Sequence, residues 1–210
     1  DLHRQLLQAG CPAHKTRVFR LGIDLAPFRR ERRDEDAVHI LMVGRLVSKK
    51  GFEYGLRALG QLPTGGPRTR ITILGDGPLR ARLEKVAIEL GLADTTTFAG
   101  AVSHDQVVAA MANADLLLAP SVVTEQGDRD SGIIVVKEAA AAQVPCVGTL
   151  HGGLPEIVDE GETGFLVPER DVDALRQRVE LLVNGPELRR RMGDAARRKM
   201  QTEYDIHRRM

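Results

Sequence analysis

Short apolar runs that alternate with helical patterns constrain the fold of this chain most strongly. The runs are too short for helices and end near Gly or Pro, which is typical of strands; they lie at 39–43, 70–74, 97–98, 114–118, 144–147 and 164–167. Between them, apolar residues recur at intervals of three and four, which predicts helices at 51–61, 79–90, 104–112 and 132–142. Wholly apolar strands that alternate with helices predict an α/β fold, a parallel sheet with helices on both faces.

The two ends of the chain lie outside this alternation. Residues 1–37 begin with a weak helical pattern and end in a charged run, so they resemble a linker that enters the domain. Near the other end, Gly185 and Pro186 separate two predicted helices at 171–184 and 186–203, because Gly often ends a helix and Pro often starts one. The arginines of these helices predict a solvated face, with a binding patch as the alternative.

Composition argues against several classes of function. The 30 Lys and Arg nearly balance the 29 Asp and Glu, so we expect no general attraction to nucleic acid or to an acidic membrane. Cys11 and Cys146 lie far apart without a spaced motif, which argues against a disulfide framework or a zinc site and favours a reducing cytoplasm. No apolar run approaches the roughly 20 residues that span a bilayer. The start has no apolar signal core, and it lacks an initiating Met, which suggests a fragment.

Candidate chemistry follows the predicted strands, at the edge where α/β sheets bind ligands. Arg45 and Lys50 follow the first strand at a helix entrance, where a guanidinium, an ammonium and backbone amides together suit a phosphate. Two exposed surface cations are the alternative. After the second strand, the turn that begins at Gly75 lets a ligand approach the backbone. Arg80 stands where G-x-G-x-x-G requires its last Gly, which argues against NAD and a Rossmann dehydrogenase.

Glu138 lies in an apolar run, and Asp130 and Ser131 precede it at the predicted helix start. A buried carboxylate needs hydrogen-bond donors, which the hydroxyls of a ligand could supply. A diphosphate at the helix start could meet the amides of Gly132 and Ile133, while the two carboxylates address hydroxyls at different ends of an extended ligand. The alternative makes Asp130 and Ser131 helix caps and Glu138 the partner of a Lys or Arg.

Two further motifs carry weaker functional interpretations. Asp128 and Asp130 spell D-x-D, which can chelate a divalent cation, but helix capping explains these aspartates and we predict no metal site. Gly152 and Gly153 permit close backbone approach to a ligand. His151 before them could donate a proton, although a lone loop histidine is more often structural.

Taken in order, the motifs of this chain resemble those of the retaining glycosyltransferases of the large group 1 family. The matching segments are G-R-x4-K-G at 44–51, L-G-D-G-P at 74–78, F-x-G-x-V-S at 98–103, A-P-S at 119–121, the carboxylate segment at 130–138 and G-G-L-P-E-I-V at 152–158. The resemblance implies the GT-B arrangement of two Rossmann-like domains, of which this chain is the C-terminal half. It assigns 1–37 to the end of the acceptor domain and the interdomain linker, 38–185 to a Rossmann-like nucleotide-sugar-binding domain, and 186–210 to a helix that packs towards the missing N-terminal domain.

The resemblance also implies roles for individual residues. Arg45 and Lys50 match the basic pair that neutralises the donor diphosphate, and Glu138 matches the second glutamate of the family's E-x7-E motif, which holds the ribose hydroxyls. Asp130 occupies the position of the first glutamate, which faces the transferred sugar, and this departure puts the contact and the sugar preference in doubt. These four residues are the catalytic candidates. The donor-binding candidates lie in the surrounding turns: Gly44, Gly75, Ala101, Val102, Ser121, Ser131, Gly132, Ile133, Gly152 and Gly153.

The implied reaction moves a sugar from a UDP-, GDP- or ADP-sugar to an acceptor hydroxyl, with retention at the anomeric carbon and without a metal or other cofactor. The implied partners are the nucleotide sugar and the missing acceptor half, with no nucleic acid. The expected location is the cytoplasm, with peripheral association with the inner face of the membrane through the missing half as an option. A nucleotide-sugar epimerase and a non-catalytic sugar-nucleotide-binding module are the alternatives.

Overall fold

The computed structural model describes residues 2–17, 21–30, 37–130 and 133–208. Within them, six strands form one parallel sheet in the order β3-β2-β1-β4-β5-β6. The strands are β1 (Ala37–Val43), β2 (Arg68–Leu74), β3 (Thr96–Gly100), β4 (Leu116–Ala119), β5 (Cys146–Thr149) and β6 (Gly164–Val167). The helices are α1 (Leu2–Gln8), α2 (Phe52–Leu59), α3 (Arg80–Glu89), α4 (His104–Ala112), α5 (Ile133–Ala141), α6 (Leu154–Ile157), α7 (Val172–Asn184) and α8 (Pro186–Lys199).

Both faces of the sheet are covered by helices, because successive strand residues point to opposite sides and both sets are apolar. In β1, Ile40 and Met42 join the core beneath α2, α3 and α7, while Leu41 joins the core beneath α4, α5, α6 and α8. In β4, Leu116 and Leu117 divide between the two cores in the same way. The predicted α/β fold with a parallel sheet and helices on both faces is therefore confirmed.

Five of the six strands begin at a different residue from the predicted one: β1, β2 and β3 begin one or two residues earlier, and β4 and β5 begin two residues later. The strand predicted at 114–118 begins at Leu116, because the Asp115 carboxylate accepts the His39 N–H at 2.9 Å. The strand predicted at 144–147 begins at Cys146, because Pro145 has no N–H to donate to a neighbouring strand. The helix predicted at 186–203 is α-helical only to Lys199 and continues as a π-helical turn over Met200–Tyr204.

Residues 21–30 pack against the C-terminal helix and α5. Ile23 N donates to Tyr204 O at 2.7 Å, and Ile23 pairs with Asp205 in an isolated parallel bridge. The buried ammonium of Lys137 donates to Leu21 O at 2.7 Å and lies 4.6 Å from the centre of the Tyr204 ring. This segment is thus fastened to the helix that follows Asp130, while the division of the chain at residues 37 and 185 stays a prediction.

Candidate functional site

The turns that follow β1, β2 and β3 touch one another at the carboxyl edge of the sheet. Gly44 N donates to Leu74 O at 2.9 Å, and Gly75 N donates to Gly100 O at 2.8 Å. Gly75 has a φ of 129°, and a Cβ there would lie 2.0 Å from Gly44 O. Only glycine permits this approach, so the three turns form one continuous rim.

Lys50 lies over this rim and pairs with Asp130. A Cβ on Gly44 would lie 2.8 Å from Lys50 Cε, so the lysine stem crosses the first turn. Lys50 Nζ lies 2.8 Å from Asp130 Oδ2, and the two side chains are 15% and 8% exposed. Arg45, one residue after Gly44, is exposed. Of the two predicted cations, one is therefore held by a carboxylate and the other faces solvent.

Asp130 is held from three directions at the entrance to α5. Besides Lys50, its Oδ2 accepts from Ser121 Oγ at 3.0 Å. Its backbone N–H donates to His151 Nε2 at 3.0 Å. Gly152 has a φ of 53°, and a Cβ there would lie 2.7 Å from Asp130 O. The structure therefore brings together Lys50, Ser121, Asp130 and the loop after β5, as the sequence predicted for one edge of the sheet.

Glu138 is buried and lies beside the turn that follows β3. Its side chain is 7% exposed, and Oε1 lies 3.6 Å from His104 Nδ1. Burial raises the pKa of Glu138, and the nearby His104 opposes that rise only partly. The turn of Ala101 and Val102 leads through Ser103 into His104. Sequence reasoning missed His104, although its place at the first position of α4, within a Ser103–Gln106 capping box, was a usable signal.

His151 and Glu169 form a second polar group behind Asp130. His151 Nδ1 lies 2.7 Å from Glu169 Oε1, and Glu169 Oε2 accepts from Val123 N at 2.8 Å. Burial alone would raise the pKa of Glu169, but its hydrogen bonds to His151 and Val123, together with the charge of Arg170, outweigh burial and lower the pKa. Sequence analysis favoured a structural His151 and did not single out Glu169. No local motif marks that glutamate, which lies 18 residues from its partner.

Three of the candidates depend on a segment that the structure describes only in part. Ser131 and Gly132 lie outside the described residues, and Ile133 begins α5 without a described side chain. Gly153 lies directly before α6. The predicted contacts of these residues with a donor stay predictions.

The two aspartates of D-x-D face different lysines. Asp128 lies 3.3 Å from Lys49, whereas Asp130 pairs with Lys50. Among the described residues, no three His, Cys, Asp or Glu side chains converge as metal ligands would. No helix in the described part of the chain has the length and apolar character needed to cross a membrane.

Comparison with known proteins identifies the family. The model of the glycosyl transferases group 1 family matches residues 26–199. This chain belongs to that family. A curated glycosyltransferase of Escherichia coli (strain K12), WcaL, which is named for colanic acid biosynthesis, is 37% identical over 177 residues, covering 83% of this chain and 44% of WcaL. The predicted membership of the group 1 glycosyltransferase family is therefore confirmed.

Solved structures of the same fold agree with this membership. The sucrose-phosphate synthase of Thermosynechococcus elongatus superposes with a TM-score of 0.82 at 26% identity, covering 98% of this chain and 53% of that chain. Anabaena Alr3699/HepE, solved with UDP and glucose, superposes with a TM-score of 0.83 at 22% identity, covering 98% of this chain and 57% of that chain. The GT-B, Rossmann-like fold is thereby confirmed. This group 1 glycosyltransferase chain spans about half the length of the curated relatives it matches.

Proposed function

We propose that this chain forms the donor-binding, C-terminal half of a retaining GT-B glycosyltransferase. The enzyme transfers a sugar from a nucleoside diphosphate sugar to an acceptor hydroxyl, and the acceptor lies on the other half. The observation that carries the proposal is the position of Lys50: its Nζ lies 2.8 Å from Asp130 Oδ2, three residues before α5 begins. A cation is thus fixed where the helix amides already favour an anion.

The diphosphate is the part of the donor that this edge suits best. Lys50 has three N–H donors and can bind a phosphate oxygen while it keeps Asp130. Arg45, exposed on the same rim, supplies a planar fork of donors that suits phosphate oxygens. During transfer, the bond from the anomeric carbon to the diphosphate oxygen breaks and negative charge develops on the leaving group. Fixed cations and helix amides stabilise that charge without a metal.

The nucleoside lies towards Glu138 in this proposal. The turn of Ala101 and Val102 leads into His104, whose Nδ1 lies 3.6 Å from Glu138 Oε1. In this proposal the Glu138 carboxylate accepts hydrogen bonds from the ribose hydroxyls while the base meets the backbone of that turn. The Anabaena relative of the same fold was solved with UDP and glucose. Base contacts made by backbone leave little trace in side chains, so titration with different nucleotides identifies the base.

The test is calorimetric titration of this chain with UDP, GDP, ADP and NAD. We expect one nucleoside diphosphate to bind and NAD not to bind. Arg45→Ala should weaken that binding by about 10- to 100-fold, the size of a lost charged hydrogen bond. Arg68→Ala is the matched control. Arg68 is also exposed, but it begins β2 and so lies at the amino edge of the sheet, opposite the carboxyl edge where Arg45 lies. Equal affinity in wild type and Arg45→Ala would contradict the proposal.

The division between the two halves predicts a further outcome. If the acceptor lies on the missing half, the isolated chain binds the donor but transfers little sugar. An assay that follows sugar transfer from the bound donor to added acceptors tests this. Rapid transfer by the isolated chain would refute the division of roles.

A further inference from the structure

One carboxylate, Glu169, holds both ends of the loop that delivers Asp130. At the start of the loop, Glu169 Oε2 accepts from Val123 N at 2.8 Å. At the end, Glu169 Oε1 lies 2.7 Å from His151 Nδ1, and His151 Nε2 lies 3.0 Å from Asp130 N. Residues 123–130 thus run between two anchors that meet at one side chain. Asp130 is the last residue of this loop before the α5 region.

The hydrogen-bond chemistry fixes the state of His151. A backbone N–H can only donate, so Nε2 must accept from Asp130 N and carries no proton. The imidazole is therefore neutral with its proton on Nδ1, and it donates that proton to Glu169. His151 is 2% exposed, so water does not compete strongly for either bond.

The same anchors act on Lys50 through Asp130. The Asp130 carboxylate sets the position of Lys50 Nζ at 2.8 Å, and Ser121 Oγ adds a second contact at 3.0 Å. Thr149 Oγ1, two residues before His151, donates to Ser121 O. The end of β5 and the loop after it therefore fasten Ser121, through Thr149, and Asp130, through His151. A shift of this loop would move the ammonium away from the rim.

We propose that His151 and Glu169 are positioning residues of the donor site, which fix Asp130 and, through it, Lys50 where the diphosphate binds. This inference rests on the proposed function. It deepens that function because neither residue need touch the donor. His151 and Gly152 then act on the same residue: His151 accepts from Asp130 N, and the missing side chain of Gly152 leaves room for Asp130 O.

The test compares His151→Phe with His39→Phe. His39 is the matched control: it is also buried and both ring nitrogens are bonded, Nδ1 to Asn113 O at 3.0 Å and Nε2 to Thr72 Oγ1 at 2.8 Å. It lies near the start of β1, away from the carboxyl edge. Both variants should lose stability. Only His151→Phe should bind UDP, or whichever nucleoside diphosphate the wild type binds, about tenfold or more weakly, as expected for lost hydrogen bonds.

Two conservative variants make the result independent of folding. His151→Gln can still accept from Asp130 N and should keep an affinity between wild type and His151→Phe. Glu169→Gln can accept only one of its two hydrogen bonds with its single carbonyl oxygen and should weaken binding as well. If His151→Phe folds and binds within about twofold of wild type, the proposal is overturned, because the loss of a hydrogen bond should weaken binding by more than twofold. If His151→Phe does not fold, the same result for both conservative variants overturns it.

Amide hydrogen exchange separates this inference from the proposed function. If wild type binds no nucleoside diphosphate, the proposed function fails, and the anchoring is then judged on exchange alone. Faster exchange of residues 123–130 in the His151 and Glu169 variants, absent in His39→Phe, supports the anchoring. Unchanged exchange in that loop overturns it.

Discussion

The ion pair of Lys50 and Asp130 makes a stability prediction that can be worked from the structure. The two side chains are 15% and 8% exposed and their charged atoms lie 2.8 Å apart. Removing one member of a buried pair costs about 3–5 kcal/mol, because the remaining charge stays buried without its counter-ion. Ser121 still donates to Asp130, so we expect Lys50→Met to cost about 3 kcal/mol, at the low end of that range.

A double-mutant cycle tests the coupling directly. Asp130→Asn alone should also destabilise the chain, but Lys50→Met with Asp130→Asn leaves no charge to bury. The double variant should therefore lose less stability than the sum of the two single losses. The difference, which is the coupling energy, should be about 2 kcal/mol, within the usual range for residues in contact. Guanidinium unfolding at pH 7, followed by circular dichroism, measures each free energy.

The neighbouring pair supplies the control. Lys49 and Asp128 lie 3.3 Å apart in the same two loops, but their side chains are 31% and 62% exposed. A solvent-exposed pair of this kind contributes less than about 1 kcal/mol, so the same cycle there should give little coupling. If the Lys50 and Asp130 losses add to within about 0.5 kcal/mol, the reasoning from burial is refuted.

The remaining predictions concern one carboxylate, two turns and one helix start. Burial raises the pKa of Glu138 above its usual 4.5, so the folded state binds the proton more tightly than the unfolded state does. Stability should therefore fall as the pH rises from the unfolded pKa through the raised folded pKa. Glu138→Gln should remove this fall in unfolding measured from pH 4 upwards, and an unchanged slope of stability against pH would contradict the prediction. Gly75→Ala should be far more destabilising than Gly65→Ala in the same unfolding assay: both have positive φ, but only Gly75 has a carbonyl oxygen 2.0 Å from the new Cβ. Equal losses would show that the turns can separate freely. Ser103→Ala should cost about 1 kcal/mol through loss of the capping box at α4, and a loss near zero in the melting curve would argue against that cap.

The sequence predicts the layers of this fold because the strands are buried on both faces. Runs such as 39–43 are apolar at every position except the first, and only a sheet covered on both sides buries them all. The predicted helices match α2 to α5 within two residues. The order of the strands does not follow from such runs, because periodicity records burial and not which strand is the neighbour.

The candidate site could be predicted only where residues follow strands. Arg45, Lys50 and Asp130 were located by that rule, and the structure brings Lys50 and Asp130 into contact across 80 positions. The contacts of Glu138 with His104 and of His151 with Glu169 join separate loops, and no local pattern encodes such pairs. For Glu138, sequence reasoning predicted a need for donors from a ligand or from a Lys or Arg, whereas the structure places His104 Nδ1 3.6 Å from its Oε1.

A crystal structure of the chain with UDP, or with the nucleoside diphosphate that binds in titration, tests the central claim most directly. The account predicts the diphosphate between Arg45, Lys50 Nζ and the start of α5, with the ribose at Glu138. A nucleotide bound elsewhere, for example in the separate cleft of about 410 Å³ beside Tyr54 and Arg82, would contradict it.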